Sequence, residues 1–526
     1  MDLKAAVGQQ LMIGITGIGI DPETEKHLQE INPGFIILFA RNISSAGQVR
    51  ELVSRLKQMI SPPPLIAIDQ EGGRVIRFTK DITVFPGNMA LGAAGSEDLA
   101  FQQGLATAAQ LKAIGIDINL APVVDVITSH YNPGVTIRSF GDNPEDVSKL
   151  ALALTRGTEL GGIAAVAKHF PGLGAAQIDP HLDLPTVTLS EEEFEHVHRF
   201  PFRQAMAAGI SGIMTSHLHC PALDSLRKEP ATFSPDIVAG YIRGACNYDG
   251  LVLSDDLEMG AIRRHYSVED ACMKAVEAGH DILLICSDGK SQKAGFNALL
   301  EAYTRSCLPQ EALEHSLRRI ASLRRFCSIP PSVSRDTQPP EAEDLASTIA
   351  RQAVTVISPG RGAFPIDGDT AGGIHLLIPD LSALSVMEDG YAPSAEHILV
   401  RACRELAAGG CSFQFFPLNP DEQDIERIVL AAGRDTRCLA FIANALSNRG
   451  QQALIEQVRR CYDHPLFVLL DNPFDYTLLD PDDACVTAYG LRRTQLLALA
   501  EVIFGKAVAQ GKLPFRIHDE SGETRH

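Results

Sequence analysis

An aspartate and a histidine stand two residues apart in the segment AKHFPGLGAAQIDPHLDLP (167–185). In an extended chain, residues two apart point the same way. The Asp179 carboxylate can then accept from one imidazole nitrogen of His181, fix its tautomer and raise the basicity of the other. Such a pair is a candidate general acid and base. Two other readings fit the same spacing. One is an Asx-type turn that leaves His181 exposed. The other is a metal site of Asp179, His181 and Asp183, against which stands the lack of a further soft-ligand cluster. The loop before the pair, Pro171 to Ala176, has almost no side-chain bulk and is expected to move as a lid.

Other chemistry-bearing residues recur where short apolar runs end. Lys168 and His169 close one such run, and His217 follows another. In GLVLSDDLEMGAI (250–262), Asp255 and Asp256 are adjacent, so strand alternation sends them to opposite faces. One can point into a site as nucleophile, base or ligand anchor, while the other caps the following helix. In IAIDQEGGRVIRF (66–78), Asp69 can hold two vicinal hydroxyls, and Arg74 or Arg77 can donate to an oxygen-rich ligand. Glu71 and Arg74 can equally form a local ion pair. The stretch TIRSFGDNPED (136–146) adds Arg138 in a loop.

The elements that must position these residues read as repeated strand–helix units. The strands are LMIGITG (11–17), GFIILFA (34–40), PLIAID (64–69), IDINLAP (116–122), GIAAVAKHF (162–170), GIMTSHL (212–218), GLVLSDD (250–256) and DILLICS (281–287). Continuous apolar strands between helices indicate a parallel sheet buried on both faces. Eight of them predict an α/β fold, a TIM-type (β/α)8 barrel, over 1–327; periodicity alone also fits a doubly wound sheet. Strand C-terminal ends then carry the chemistry. A Pro-, Ser- and charge-rich linker is expected over 328–345. Four further strands, at 372–380, 437–445, 465–475 and 484–490, predict a smaller α/β sandwich over 346–526. No G-x-G-x-x-G opens a helix there, so a dinucleotide site has no support. The tail HDESGETRH is expected to be disordered.

Composition narrows the function. The chain of 526 residues is 45% hydrophobic and 21% charged, as ordinary globular chains are. Lys and Arg number 46 against 65 Asp and Glu, a net charge of −19. That balance repels phosphate backbones and anionic lipid, so neither nucleic acid nor a membrane is an expected partner. The 11 Cys include no C-x-x-C pair, which indicates reduced thiols and no structural zinc. With no Trp, any bound sugar must be held mainly by hydrogen bonds, and a short ligand is expected.

Taken together, KHFPG-x-G-x4-D-x-H, DQEGGRVxRF, RSFG and SDDLxM resemble family 3 glycoside hydrolases. The resemblance is to their bacterial β-N-acetylglucosaminidase branch, in the two-domain form. The motifs span about residues 11–290, and GKLPFRI (511–517) is similar to the second domain of such members. The resemblance implies Asp255 as nucleophile and His181 with Asp179 as the acid/base dyad. It implies Asp69, Arg77, Arg138, Lys168 and His169 as sugar-binding residues; His217, at its strand end, is added to that set. Three positions depart from the family pattern: Leu173 where His is common, Pro180 where Ser is common, and VTI before Arg138 in place of a Gly–acid pair.

The expected reaction is retaining and exo-acting. It removes terminal N-acetylglucosamine from short glycosides, peptidoglycan fragments among them, without metal or organic cofactor. Phosphorolysis of the same bond, a β-glucosidase or β-xylosidase of the same family, a Schiff-base aldolase through Lys168, and a silent sugar-binding protein are the alternatives. The reduced cysteines and the absence of a recognisable signal peptide point to the cytoplasm. A monomer or homodimer is expected.

Overall fold

In the computed structural model, the described residues are 2–224, 228–330, 341–361, 364–366, 373–381, 395–407, 410–430, 436–518 and 524–525. They form two compact units. The first comprises 1–71, 80–82 and 100–340; the second comprises 72–79, 83–99 and 341–526. The division differs from a cut at a single linker, because two stretches from within the barrel sequence group with the second unit. The linker is also shorter than 328–345. One helix runs through Ser328 and the next begins at Ala342, and most of the intervening residues lie outside those described.

The first unit is a closed barrel of eight parallel strands in chain order. These are β1 (Leu11–Gly14), β2 (Phe35–Leu38), β3 (Leu65–Ile68), β4 (Ile118–Asn119), β5 (Ala164–Phe170), β6 (Gly212–Thr215), β7 (Leu251–Asp256) and β8 (Ile282–Ile285). Ile13 of β1 pairs with both Ile36 of β2 and Ile285 of β8, which closes the ring. Every expected barrel strand is present, and the doubly wound alternative is excluded. The interior is filled by Met12, Phe35, Ile37, Ala67, Ile118, Val166, Met214, Leu253 and Leu284. Burying such side chains is worth about 1.5–3 kcal/mol each. The interior is packed, so a binding site belongs at the strand C-terminal ends.

The second unit contains a six-stranded sheet in the order β11-β10-β12-β13-β14-β9. Its strands are β9 (Thr355–Ser358), β10 (Ile374–Pro379), β11 (Cys411–Phe416), β12 (Arg437–Ile442), β13 (Leu466–Leu469) and β14 (Ala484–Thr487). β9 alone runs antiparallel. Four strands match expectation; β9 and β11, at the two sheet edges, do not come from it. The stretch 72–79 is held within this unit by Arg492, which donates to the carbonyls of Gly73 and Arg74 at 2.6 and 3.2 Å. The tail HDESGETRH falls mostly outside the described residues.

All eleven cysteines are free thiols. Seven are buried, and only Cys307 in the first unit and Cys461 in the second are exposed. No helix among the described residues is long and apolar enough to cross a membrane.

Candidate active site

The polar residues at the C-terminal ends of the barrel strands form two groups. The first lies beyond β3 and β5. The segment after β3 is pinned by Asn119, whose side chain exchanges hydrogen bonds with the Gln70 backbone at 2.9 and 3.0 Å. This sets Asp69 and Glu71 against Lys168, whose Nζ lies 2.7 Å from a carboxylate oxygen of each. Arg138 grips Glu71 in a fork, Nε to Oε2 at 2.9 Å and Nη2 to Oε1 at 2.8 Å. Two acids and two cations balance to zero in a buried cluster. Burial alone would raise the Glu71 pKa, but Arg138 and Lys168 outweigh it and hold the carboxyl down at about 2. The Lys168 pKa is pushed up: Asp69 and Glu71 overcome the opposite pull of burial.

Asp125, fully buried, organises the neighbouring histidine. Its carboxylate accepts from His169 Nδ1 at 2.7 Å and from the Leu173 backbone at 2.7 Å. The proton therefore sits on Nδ1, and His169 Nε2 faces Arg138 Nη2 at 3.4 Å.

The second group comprises the acid/base pair and β7. Asp179 Oδ1 lies 2.7 Å from His181 Nδ1 and also accepts the His181 backbone N–H at 2.9 Å. The segment is a turn and not an extended strand, with Leu182 N–H donating to the Asp179 carbonyl at 2.9 Å. The dyad and the Asx-type turn, alternatives from spacing, are thus formed by the same carboxylate. Asp179 is buried, while the His181 side chain is 48% exposed. Burial would depress the His181 pKa; the Asp179 hydrogen bond and charge, aided by Asp255, raise it instead. Asp179 is correspondingly held low despite burial.

This loop is docked at both ends. At its root, a Cβ on Gly174 would run into the Val126 carbonyl, so only glycine fits there. At its tip, Gly260 and Ala261 N–H donate to the His181 and Pro180 carbonyls at 3.2 and 3.0 Å. A side chain on Gly260 would sit 2.5 Å from the His181 oxygen. The expected lid is therefore seated on the helix that follows β7. Asp183 pairs with His265 at 3.1 Å and Arg264 at 3.6 Å, and no metal-ligating cluster occurs among the described residues.

Asp255 Oδ1 accepts the Asp256 backbone N–H at 2.8 Å. Asp256 does cap, but not the next helix. Its Oδ1 accepts from Glu258 N–H at 3.1 Å and Cys286 N–H at 3.3 Å, tying β7 to β8. Burial first, then the Glu258 and Asp255 charges, raise the Asp256 pKa to about 7.

Residues 3–323 match the glycosyl hydrolase family 3 N terminal domain. The chain belongs to that family. It is 29% identical to beta-hexosaminidase A of Pseudoalteromonas piscicida over 95% of this chain and 92% of that one. It is 34% identical to a beta-hexosaminidase of Nitrosomonas eutropha over 62% of this chain and 96% of that one. A solved family 3 beta-N-acetylglucosaminidase from Paenibacillus sp. str. FPU-7 superposes with a TM-score of 0.90 at 32% identity, covering 98% of this chain and 99% of that one.

Of the family 3 site residues expected from sequence, Asp69, Arg138, Lys168 and His169 meet in the first group. Asp179 and His181 form the second group, close enough to Asp255 for its charge to be felt. Arg77 is half-buried in the stretch that groups with the second unit. At His217, both ring nitrogens have protein partners. Nδ1 meets Thr232 Oγ1 and Nε2 meets the Asp256 carbonyl, both at 2.9 Å. Glu71 does not pair with Arg74, which lies 3.9 Å from Asp471 within the second unit. Sequence reasoning gave Glu71 no site role and reached Asp125 only as one of the polar residues at strand ends. The only signal was their position just past apolar strands.

Proposed function

We propose that this family 3 glycoside hydrolase is a retaining, exo-acting β-N-acetylglucosaminidase that works through a covalent glycosyl-enzyme on Asp255. The observation that carries the reading is the His181–Asp179 contact. It engages Nδ1, leaves Nε2 of a half-exposed ring uncommitted, and raises the imidazole's affinity for a second proton. Asp255 attacks the anomeric carbon while His181 gives its Nε2 proton to the leaving oxygen; His181 then takes a proton from the incoming water. Asp69, Lys168, His169 and Arg138 hold the sugar, and Arg77 is retained as a further contact. Ion pairs among Asp69, Lys168, Glu71 and Arg138 fix these side chains in place, so the sugar meets donors and acceptors already oriented. Short wall-derived glycosides in the cytoplasm remain the proposed substrates; the lack of Trp supports a short ligand.

The test is nitrophenol release from the β-N-acetylglucosaminide against the β-glucoside. Mass spectrometry of a trapped enzyme should show one sugar on the peptide bearing Asp255. Sugar on another peptide, or faster turnover of the glucoside, overturns the reading. One observation favours phosphorolysis as a second reading. A histidine that has given up its proton is neutral and repels an anionic acceptor less than a carboxylate would. Sugar 1-phosphate formed on adding phosphate would establish it.

A further inference from the structure

His217 is the inner end of a buried hydrogen-bonded chain. Its Nε2 faces the Asp256 carbonyl, which can only accept, so Nε2 carries a proton. Its Nδ1 faces Thr232 Oγ1. Thr232 lies 3.2 Å from Thr215 Oγ1, and Thr215 lies 2.9 Å from His280 Nε2. His280 Nδ1 faces the Ala275 carbonyl at 2.9 Å, so that nitrogen holds its proton and Nε2 accepts from Thr215. His217, Thr215 and Thr232 are 0% exposed and His280 is 2% exposed. The proposed chemistry uses none of the last three.

Proton counting favours one arrangement. Thr215 commits its hydroxyl proton to His280. Thr232 has a single proton, within reach of the Ser216 carbonyl at 3.0 Å, of Thr215 Oγ1 at 3.2 Å and of His217 Nδ1 at 2.9 Å. If it went to Ser216 or Thr215, the buried Nδ1 lone pair would face a hydroxyl oxygen with no proton between them, unless the ring took a second proton and became a fully buried imidazolium. Burial opposes that most. The nearby His181 and His169 oppose it further, and only the Asp255 charge and the Asp256 carbonyl favour it; the His217 pKa is lowered on balance. His280 is likewise pushed down by burial, to about 3.

We infer that Thr232, with Thr215 and His280 behind it, is a positioning residue: it locks His217 as a neutral Nε2–H donor, and His217 fixes the Asp256 backbone that aims Asp255. Residue 256 is held at both ends. Its carbonyl accepts from His217, and its N–H donates to Asp255 Oδ1 at 2.8 Å. A neutral His217 also leaves the Asp255 charge available to the anomeric carbon. The inference rests on Asp255 being the nucleophile.

Two measurements on the full chain test it. Neutron diffraction from deuterated crystals at neutral pH should place a deuteron on His217 Nε2 and none on Nδ1. Deuterons on both nitrogens, or on Nδ1 alone, overturn the inference. Kinetically, Thr232→Val keeps the shape and removes the hydroxyl, and kcat should fall roughly 10- to 100-fold with KM little changed. Thr232→Ser should restore it. An unchanged kcat in the Val variant, or equal loss in the Ser variant, also overturns the inference. Should Thr232→Val fail to fold, Thr215→Val cuts the chain one link earlier and is read the same way. Failure of the nucleophile assignment is distinguishable. Asp255→Asn would then retain turnover while the deuterons stayed where they are.

Discussion

The two halves of the site are built on opposite principles. Around β3 and β5, charges are paired within hydrogen-bonding distance: Lys168 with Asp69 and Glu71, and Arg138 with Glu71. Around β7 and the docked loop, acids crowd together and a half-exposed imidazole has one nitrogen committed. The first half cannot change its charge without leaving a buried ion unpaired. The second half can, because Asp256 and His181 both hold protons further up the pH scale than usual. In the proposed reading, gripping a neutral sugar and moving protons place conflicting demands on electrostatics, and they fall on different strands of the barrel.

Removing the proposed nucleophile breaks the comparison most completely. Asp255→Asn should lower kcat by roughly 10⁴-fold or more, a scale seen when a covalent group is lost, with near-normal binding. Retained turnover would place the chemistry elsewhere. His181→Ala should cost about 10²- to 10⁴-fold on glycosides with poor leaving groups and much less on nitrophenyl glycosides. Equal loss on both would remove its acid role.

Glu71→Gln tests the gripping half. It strips one acid from two buried cations, a change worth about 3–5 kcal/mol of stability, readable as a lower denaturant midpoint together with a raised KM. A variant as stable as the parent would show that the charge balance is not what holds the cluster.

The smaller effects sharpen the contrast. His181 must be protonated to act as acid, so its raised pKa carries activity above the usual imidazole range before the alkaline limb begins. Asp179→Asn removes the group that raises it, and the alkaline limb of kcat/KM should move down in pH. A limb that stays in place would assign it to another group. Stability should respond to pH with opposite signs in the two halves. The Glu71 pKa is depressed from 4.5 to about 2, so its contribution is present above 4.5 and lost as pH falls toward 2. The Asp256 pKa is raised from 3.8 to about 7, so its contribution is present below 3.8 and lost as pH rises toward 7. Comparing the pH dependence of unfolding in Glu71→Gln and Asp256→Asn would separate the two windows.

The barrel was legible because its strands are continuous apolar runs that only a sheet buried on both faces tolerates. The edge strands of the second sheet were not. CSFQFF alternates with polar residues and stays half-exposed, and TVIS is four residues long. The dyad was legible because its partners are two residues apart. The cluster was legible only by residue type. Glu71 finds Lys168 and Arg138, and Asp125 finds His169, across 44 to 97 positions of sequence; the nearer Arg74 is not the partner it resembles on paper. The partners of His217, Thr232 and the Asp256 carbonyl, were hidden for the same reason. Nor does any break in composition mark 72–79 and 83–99 as belonging with the second unit.

The distribution of thiols has a practical consequence. With one exposed cysteine on each unit and none in a disulfide, a maleimide dye or nitroxide pair should attach at Cys307 and Cys461 without mutagenesis. Each unit thus carries its own handle, able to report on the surroundings of that unit as substrate arrives and product leaves.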